Sequence, residues 1–420
     1  MSNESERLFE TARAGEPVAI ARLLVSIPSV NPSVAAGGGE GEGRIAAVVA
    51  ELLEGWGFTV TTPEVAPGRH NVIARLEGGR GGTLLLNGHL DTVGIEGMTV
   101  PPFAAQILGS RLVGRGACDM KGGVAALLAA ASRLAAGGRR PNLAVVLTAD
   151  EEHASLGMEA FVRGGPVADL AVVCEPTGLA VMPAHKGFVW VRASFRGRAA
   201  HGSLPSEGVD AIRHAALFIA ALDRYTAALE SRPSHPLLGY GSVHIGTIAG
   251  GSAPSVYPDQ CEVQLECRTM PGTSADTVRA DLESVLNGVR AHEPSLRASL
   301  EVTLARPGTE VSNESKLVRG LLAACQAHGV APAVRGMTAW VDAAFLNEGR
   351  RSGRVLRTGI DGAGPHGRRV GRGVGDRHVR GCARDARAAA RARMNPPPVA
   401  HVRAVAAYCG CRPLTERQAR

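Results

Sequence analysis

Apolar residues recur at helical spacing over residues 40–56, where Ile45, Val48, Val49, Leu52 and Leu53 share a face, and Gly57 closes the segment as a helix C-terminal cap. Short apolar runs follow at 71–76 and 83–86, and again at 143–147 and 170–173, with an Ala/Leu-rich helix over 123–136 between them. Strands alternating with helices predict an α/β fold built on a mostly parallel mixed sheet flanked by helices. Near Gly187 the pattern changes. Residues 188–196 alternate like a half-buried strand, 209–229 are helical, 242–248 and 262–268 read as strands, 273–286 as a second helix, and 300–304 as a closing strand. That β-α-β-β-α-β order predicts a small ferredoxin-like α+β domain inserted into the first. Residues 315–329 resume a helix suited to the first domain. The chain is therefore expected to divide into 1–186 (catalytic domain, first part), 187–305 (inserted domain), 306–348 (catalytic domain, second part) and 349–420 (a tail).

Composition agrees with this layout. A chain of 420 residues exceeds what a single core usually organises, and 45% hydrophobic with 20% charged residues is an ordinary globular balance. No run approaches the ~20 apolar residues of a membrane span. The opening MSNESERLFE is acidic and polar where a signal peptide is basic and then apolar, so a cytoplasmic protein is expected. Eight scattered cysteines lack the spacing of a zinc ribbon or a disulfide framework and are expected to be reduced thiols. The formal charge of +7 is unevenly placed: residues 349–420 hold 17 Arg, no Lys and four acids, a net +13, which leaves −6 for residues 1–348. With an acidic body and Tyr408 the one Phe, Tyr or Trp among the tail arginines, no nucleic-acid partner is expected.

Four strand ends carry the candidate chemistry. Asn87-Gly88-His89-Leu90-Asp91-Thr92 places a histidine at the carboxyl end of a strand, where such folds put their sites, with Asp91 two residues on to orient its ring. Alone, it is equally a strand end with a capping Asp. Gly114-Arg115-Gly116-Ala117-Cys118-Asp119-Met120-Lys121-Gly122-Gly123 puts Asp119, whose two oxygens can bridge two metals, at a glycine-rich turn. A phosphate cradle competes there, without the Gly-Lys-Ser/Thr ending or dinucleotide spacing that reading needs. Ala149-Asp150-Glu151-Glu152 sets three consecutive acids at a strand end; they repel unless cations neutralise them or the loop is simply solvated. Cys174-Glu175-Pro176-Thr177 supplies a further carboxylate. Mixed imidazole and carboxylate donors suit zinc, with cobalt or manganese as substitutes.

These segments resemble the family containing acetylornithine deacetylase, succinyl-diaminopimelate desuccinylase, aminoacylase and carboxypeptidase G, over residues 15–348. The resemblance implies a zinc-dependent amidohydrolase holding two zincs per subunit. It implies Asp119 as the bridge between the ions, His89 and Glu175 at one ion, Glu152 at the other, Asp91 supporting His89, and Glu151 as general acid/base. The inserted domain resembles the family's lid and dimerisation domain, implying a homodimer. In Ala200-His201-Gly202-Ser203, His201 resembles the residue that stabilises the oxyanion in the partner subunit's site; in isolation it reads as an ordinary loop histidine. Arg268, in Cys267-Arg268-Thr269-Met270-Pro271-Gly272, resembles the arginine that grips a substrate carboxylate, with a structural salt bridge as the alternative. Glu175-Pro176-Thr177 followed by Ala184-His185-Lys186-Gly187 is most similar to acetylornithine deacetylases, so the expected substrate is a small N-acyl amino acid, N-acetylornithine first. Desuccinylases share nearly all the same catalytic residues.

The chain departs from the family after Glu348. The family's last metal ligand is a histidine in a segment similar to His-Thr-Ala-Asp-Glu-Trp, and no such segment follows Gly336-Met337-Thr338-Ala339-Trp340-Val341-Asp342. Residues 349–374, back-translated with GC-rich codons chosen for the purpose and read one base later, can give AGVPAVFFGPGSMAQGHTADEWVGE, a strand, loop and metal motif. The expectation is a frame shift near codon 348 or 349 and a tail that is not natively folded. The motif histidine then falls in the slot of Pro365, beside His366, which is the one candidate to replace it.

Overall fold

The fold, a computed structural model, describes residues 3–79, 81–138, 140–164 and 168–351. Helices α1 (Asn3–Arg13), α2 (Pro17–Ser26) and α3 (Gly43–Gly55) open the chain, followed by strands β1 (Thr59–Thr61), β2 (Glu64–Ala66), β3 (Arg69–His70), β4 (Val72–Leu76) and β5 (Thr83–His89). A hairpin of β6 (Gln106–Leu108) and β7 (Arg111–Val113) leads to α4 (Lys121–Ala136), β8 (Asn142–Thr148), α5 (Leu156–Gly164), β9 (Leu170–Val173) and β10 (Val181–His185). Next come β11 (Gly187–Arg196), α6 (Ala211–Glu230), β12 (Ser242–Gly250), β13 (Gln260–Thr269), α7 (Ala275–His292) and β14 (Arg297–Arg306). The chain then runs through β15 (Thr309–Glu310), α8 (Lys316–Ala327), β16 (Val334–Met337) and α9 (Ala343–Arg351).

The main sheet has the order β1-β4-β8-β5-β9. β8, β5 and β9 run parallel, whereas β1 and β4 join antiparallel, so the sheet is mixed and its parallel half is the half that carries the site. The burial of the strands follows their cover. β5 and β8 are buried on both faces and so are continuously apolar, while β4 alternates. One face packs on α1 to α4 through Leu84, Leu86, Val145 and Leu147, and the other on α5 and α9 through Leu85, Ala144 and Val146. α4 is buried nearly all round, which only a helix as thin as its Ala-rich sequence permits, and a Cβ on Gly123 would lie 2.0 Å from the Cys174 carbonyl oxygen. α4 begins at Lys121, two residues before the apolar pattern that announced it. α5 escapes sequence reading because nine residues are too few to establish a period.

β12-β13-β11-β14 form an antiparallel sheet with α6 and α7 on one face, in the order expected of the lid. Asp210 and Ser274 cap the two helices by accepting from the Arg213 and Thr277 amides, at 2.8 and 3.1 Å. β15-β10-β16 make a third, small sheet. No helix among the described residues is long and apolar enough to cross a membrane.

His185, at the end of β10, is buried edge-on to Trp340; its Nδ1 bonds the Lys186 carbonyl at 2.9 Å, and burial depresses its pKa to about 4. The unfolded chain binds a proton near pH 6.5 that the folded chain refuses, so stability present at pH 7 is lost as the pH falls from ~6.5 towards ~4. Urea titrations at neutral pH and near pH 5 are expected to show about 2 kcal/mol less acid destabilisation in His185→Gln than in the native chain. Equal losses in both would place the acid sensitivity elsewhere.

Candidate metal centre

The carboxyl ends of β5, β8 and β9 open on the same side of the sheet, and the turn before α4 folds over them. His89, the last residue of β5, is buried at 2% exposure. Its Nδ1 lies 3.0 Å from the Asp91 carbonyl oxygen and 3.6 Å from Asp91 Oδ1. Donation from Nδ1 leaves Nε2 as the free lone pair. That atom lies 3.2 Å from Asp119 Oδ1 and 3.9 Å from both Glu151 Oε2 and Glu175 Oε1. Donor atoms of His89, Asp119 and Glu152 lie within 4.8 Å of one another, and so do those of His89, Glu151 and Glu175. Asp119 is more than half exposed, with its side chain 56% accessible, and hydrogen-bonds Glu175 as well as His89. Five of the residues singled out in the sequence thus meet in one pocket, and His89 belongs to both donor groups.

Asp91 is wholly buried beneath them. Its Oδ1 accepts from the Glu151 amide at 3.1 Å, and its Oδ2 accepts from the Glu152 amide at 3.1 Å and from Asn31 Nδ2 at 2.8 Å. Asp91 therefore orients the imidazole through its backbone carbonyl, and its carboxylate fixes the backbone that presents both glutamates.

Asp150, the first of the three consecutive acids, behaves differently. At φ 68°, a conformation Asp tolerates better than most residues, its side chain turns away from the cluster. It accepts from Arg69 Nη2 at 3.2 Å and from Asn31 Nδ2 at 3.1 Å. Arg69 in turn forks onto Glu42, which is buried and takes the Asp150 amide at 3.1 Å. The repulsion read from the sequence is thus eased by a buried arginine 81 residues away, which Asp150 shares with Glu42, and of the three consecutive acids only Glu151 and Glu152 are left facing the cluster.

Asp342 is an acidic neighbour of the cluster that no motif singled out. It is buried, accepts from Thr148 Oγ1 at 2.8 Å, and its charge acts on both Glu151 and Glu175. Its only sequence signal is an acid directly before a helix. Lys121, two residues past Asp119, is also buried; its ammonium donates to the Ile27 carbonyl at 2.7 Å and burial lowers its pKa to about 7.

His201 and Arg268 are not brought to the cluster. His201 is exposed on the lid; its ring meets Ser203 at 2.8 Å and its backbone bridges to Val256. Arg268 on β13 donates from Nε to Glu266 Oε1 at 2.7 Å and stacks over Phe188 at 5.6 Å. Pro365 and His366 lie outside the described residues.

The donor set fits divalent cations. Burial pushes Glu152 up to about 7, Glu175 up to about 8 and Asp342 up to about 6, and raises Glu151 well above the carboxylate range. Burial alone would lower His89, but its hydrogen bond to Asp119 and the charges of Glu175, Glu151 and Asp91 raise it. Negative charge is crowded out of water here, and cations bound by an imidazole and carboxylate oxygens are the natural compensation.

The description "Peptidase family M20/M25/M40" matches residues 85–370. An acetylornithine deacetylase of Vibrio atlanticus (strain LGP32) is 33% identical over 311 residues, 72% of this chain and 80% of that protein. Among solved structures, an M20 family metallo-carboxypeptidase from Sulfolobus solfataricus superposes with TM-score 0.66 at 18% identity, covering 81% of this chain and 90% of its own. A dinuclear metal-binding M20 peptidase of Bacillus subtilis superposes with TM-score 0.60 at 17% identity, covering 80% and 86%.

Proposed function

Because the chain belongs to peptidase family M20/M25/M40 and is a hydrolase of amide bonds, we propose that it deacylates an N-acyl amino acid, N-acetylornithine first, giving acetate and ornithine. The observation that carries this reading is the meeting of one buried imidazole and four carboxylates, from β5, the turn before α4, and the segments after β8 and β9. The identity with an acetylornithine deacetylase supports the substrate. Desuccinylation and general aminoacylase or carboxypeptidase activity are the alternatives within the same chemistry.

In this proposal Asp119, His89, Glu152 and Glu175 would hold two zinc ions, His89 and Glu175 serving one, Glu152 the other and Asp119 both. The ions supply positive charge that acidifies water and polarises an amide carbonyl. Glu151 takes the proton of the attacking water and returns it to the leaving nitrogen, a transfer helped by the raised proton affinity that burial gives it. Asp91 keeps Nδ1 of His89 protonated and both glutamates aimed. His201 donates to the oxyanion across the contact of a cytoplasmic homodimer, and Arg268 grips the substrate carboxylate. The tail after residue 348 belongs to a shifted frame.

The test is hydrolysis of N-acetylornithine, N-succinyl-diaminopimelate and simple N-acyl amino acids by the zinc-, cobalt- and manganese-loaded chain. No turnover of any of them by a folded, metal-loaded protein would sink the proposal. Arg268→Ala is expected to raise KM by ~10–100-fold with a smaller change in kcat, the value of a charge-assisted hydrogen bond. A lower Tm with KM unchanged would instead confine Arg268 to its bond with Glu266.

A second reading has one observation in its favour: no His-Thr-Ala-Asp-Glu-Trp segment follows Glu348. It describes a family member that binds metal with little turnover. Counting zinc per chain separates the two, with two ions expected for the deacylase and one for the impaired member.

A further inference from the structure

Helices α6 and α7 lie side by side on one face of the lid sheet and bury their inner faces in a shared core. Along their outer surface they do not close. A groove of about 670 Å³, space open to solvent included, runs between them. Arg224 and Tyr225 line it from α6, with Arg232 just past that helix, and Asp281 and Ser284 line it from α7. The α7 wall continues at helical spacing to Gly288, so one stripe of that helix faces the groove.

Several polar groups in the groove are not used by the fold. Asp281 meets both of its partners on a single oxygen: Oδ2 accepts from Arg232 Nη2 at 3.0 Å and from Tyr225 Oη at 3.3 Å. Two donors therefore hold this carboxylate in place, while Oδ1 has no hydrogen-bond partner among the described residues. Arg224 is exposed and makes no hydrogen bond or ion pair among the described residues, and neither does the hydroxyl of Ser284. Arg232 is already neutralised by Asp281, so Arg224 is the cation the groove still offers.

Gly288 is a second, independent observation. It stands in the interior of α7, where glycine weakens a helix, and neither a positive φ nor crowding calls for it, since a Cβ there would meet nothing within 4 Å. The bare Cα leaves the groove open beyond Val285, which with Ala221 gives it an apolar stretch. A free guanidinium, a fixed carboxylate oxygen and an apolar stretch with room at its end complement a small molecule that carries a carboxylate, an ammonium and an aliphatic stem. A simple anion would also meet Asp281, and a simple cation would meet both arginines.

We propose that this groove binds a free α-amino acid, its carboxylate on Arg224, its ammonium on Asp281 Oδ1 and its side chain along Val285 toward Gly288. The ligand is of the same class as the amine product of the proposed reaction, but the groove shares no residue with the metal centre, and the site goes beyond the deacylase reading. The full chain, zinc-loaded and again after chelation, is titrated calorimetrically with L-ornithine, L-alanine, N-acetyl-L-alanine, L-alanine amide and acetate. Saturable binding of ornithine or alanine is expected with and without zinc, and at least ~10-fold weaker binding of the acetyl, amide and acetate probes, each of which lacks one charge. Arg224→Glu and Gly288→Leu are each expected to weaken amino-acid binding at least ~10-fold with zinc content and Tm unchanged, since the first side chain is exposed and the second substitution has open space and a better helix former. No saturable binding, or equal binding by both variants, overturns the proposal. So does equal binding of acetate, which makes the groove a plain anion site, and so does binding that disappears with zinc, which assigns the ligand to the metal centre. Because the titration reads binding at a site outside that centre, each of these results leaves the deacylase reading to its own turnover assay.

Discussion

Glu151→Gln is expected to lower kcat for N-acetylornithine by ~10²–10⁴-fold, the usual contribution of a positioned acid or base, with zinc content and Tm nearly unchanged. Glu151 Oε2 is 3.9 Å from His89 Nε2, and the Glu151 backbone amide is tied to Asp91 Oδ1. Glutamine keeps that backbone bond and the side-chain volume, and loses only the capacity to take and return a proton. Zinc is expected to stay, because Asp119, Glu152, Glu175 and His89 still surround it in the proposed arrangement. The variant is assayed with zinc beside a metal count. Retained turnover would transfer the proton-carrying role to another group, Glu152 or Asp342; lost zinc would make Glu151 a ligand, as its place in the His89-Glu151-Glu175 group allows.

Asp119→Ala is expected to bring hydrolysis to background and to halve or abolish bound zinc. In the proposed arrangement it is the single carboxylate shared by both ions, and in the structure it touches both His89 and Glu175. The same loss is expected on chelation of the native chain. A ligand held at 100 to 1,000 times its Kd contributes ~3–4 kcal/mol to stability, so both treatments should also lower Tm, and zinc should restore Tm in the chelated native chain alone. An Asp119→Ala chain that keeps two zincs and its turnover would remove Asp119 from the centre.

The fold was legible where periodicity was long. The faces of α3, α6 and α7 and the alternation of β11 and β13 appear in the sequence because each element buries one side against a single layer. The antiparallel β1–β4 half of the main sheet was not legible, since strand direction is set by the path of connections and not by side-chain pattern. Nor was α5, too short to show a period.

By itself, the sequence determined which groups are available: His89, Asp119, Glu151, Glu152 and Glu175, each at a strand end or glycine-rich turn, where local chain chemistry places polar side chains at a sheet's carboxyl edge. It also determined that the apolar pattern stops after residue 348. Tertiary structure alone decided the rest. It turned Asp150 out of the cluster, because an arginine and a glutamate remote in sequence were buried beside it and left no cheaper partner for that charge. It brought Asp342 in through a bond to Thr148, 194 residues away. It kept His201 and Arg268 on the lid among local partners. Pairings of this kind depend on which charges are desolvated together, and that is settled only when distant segments pack.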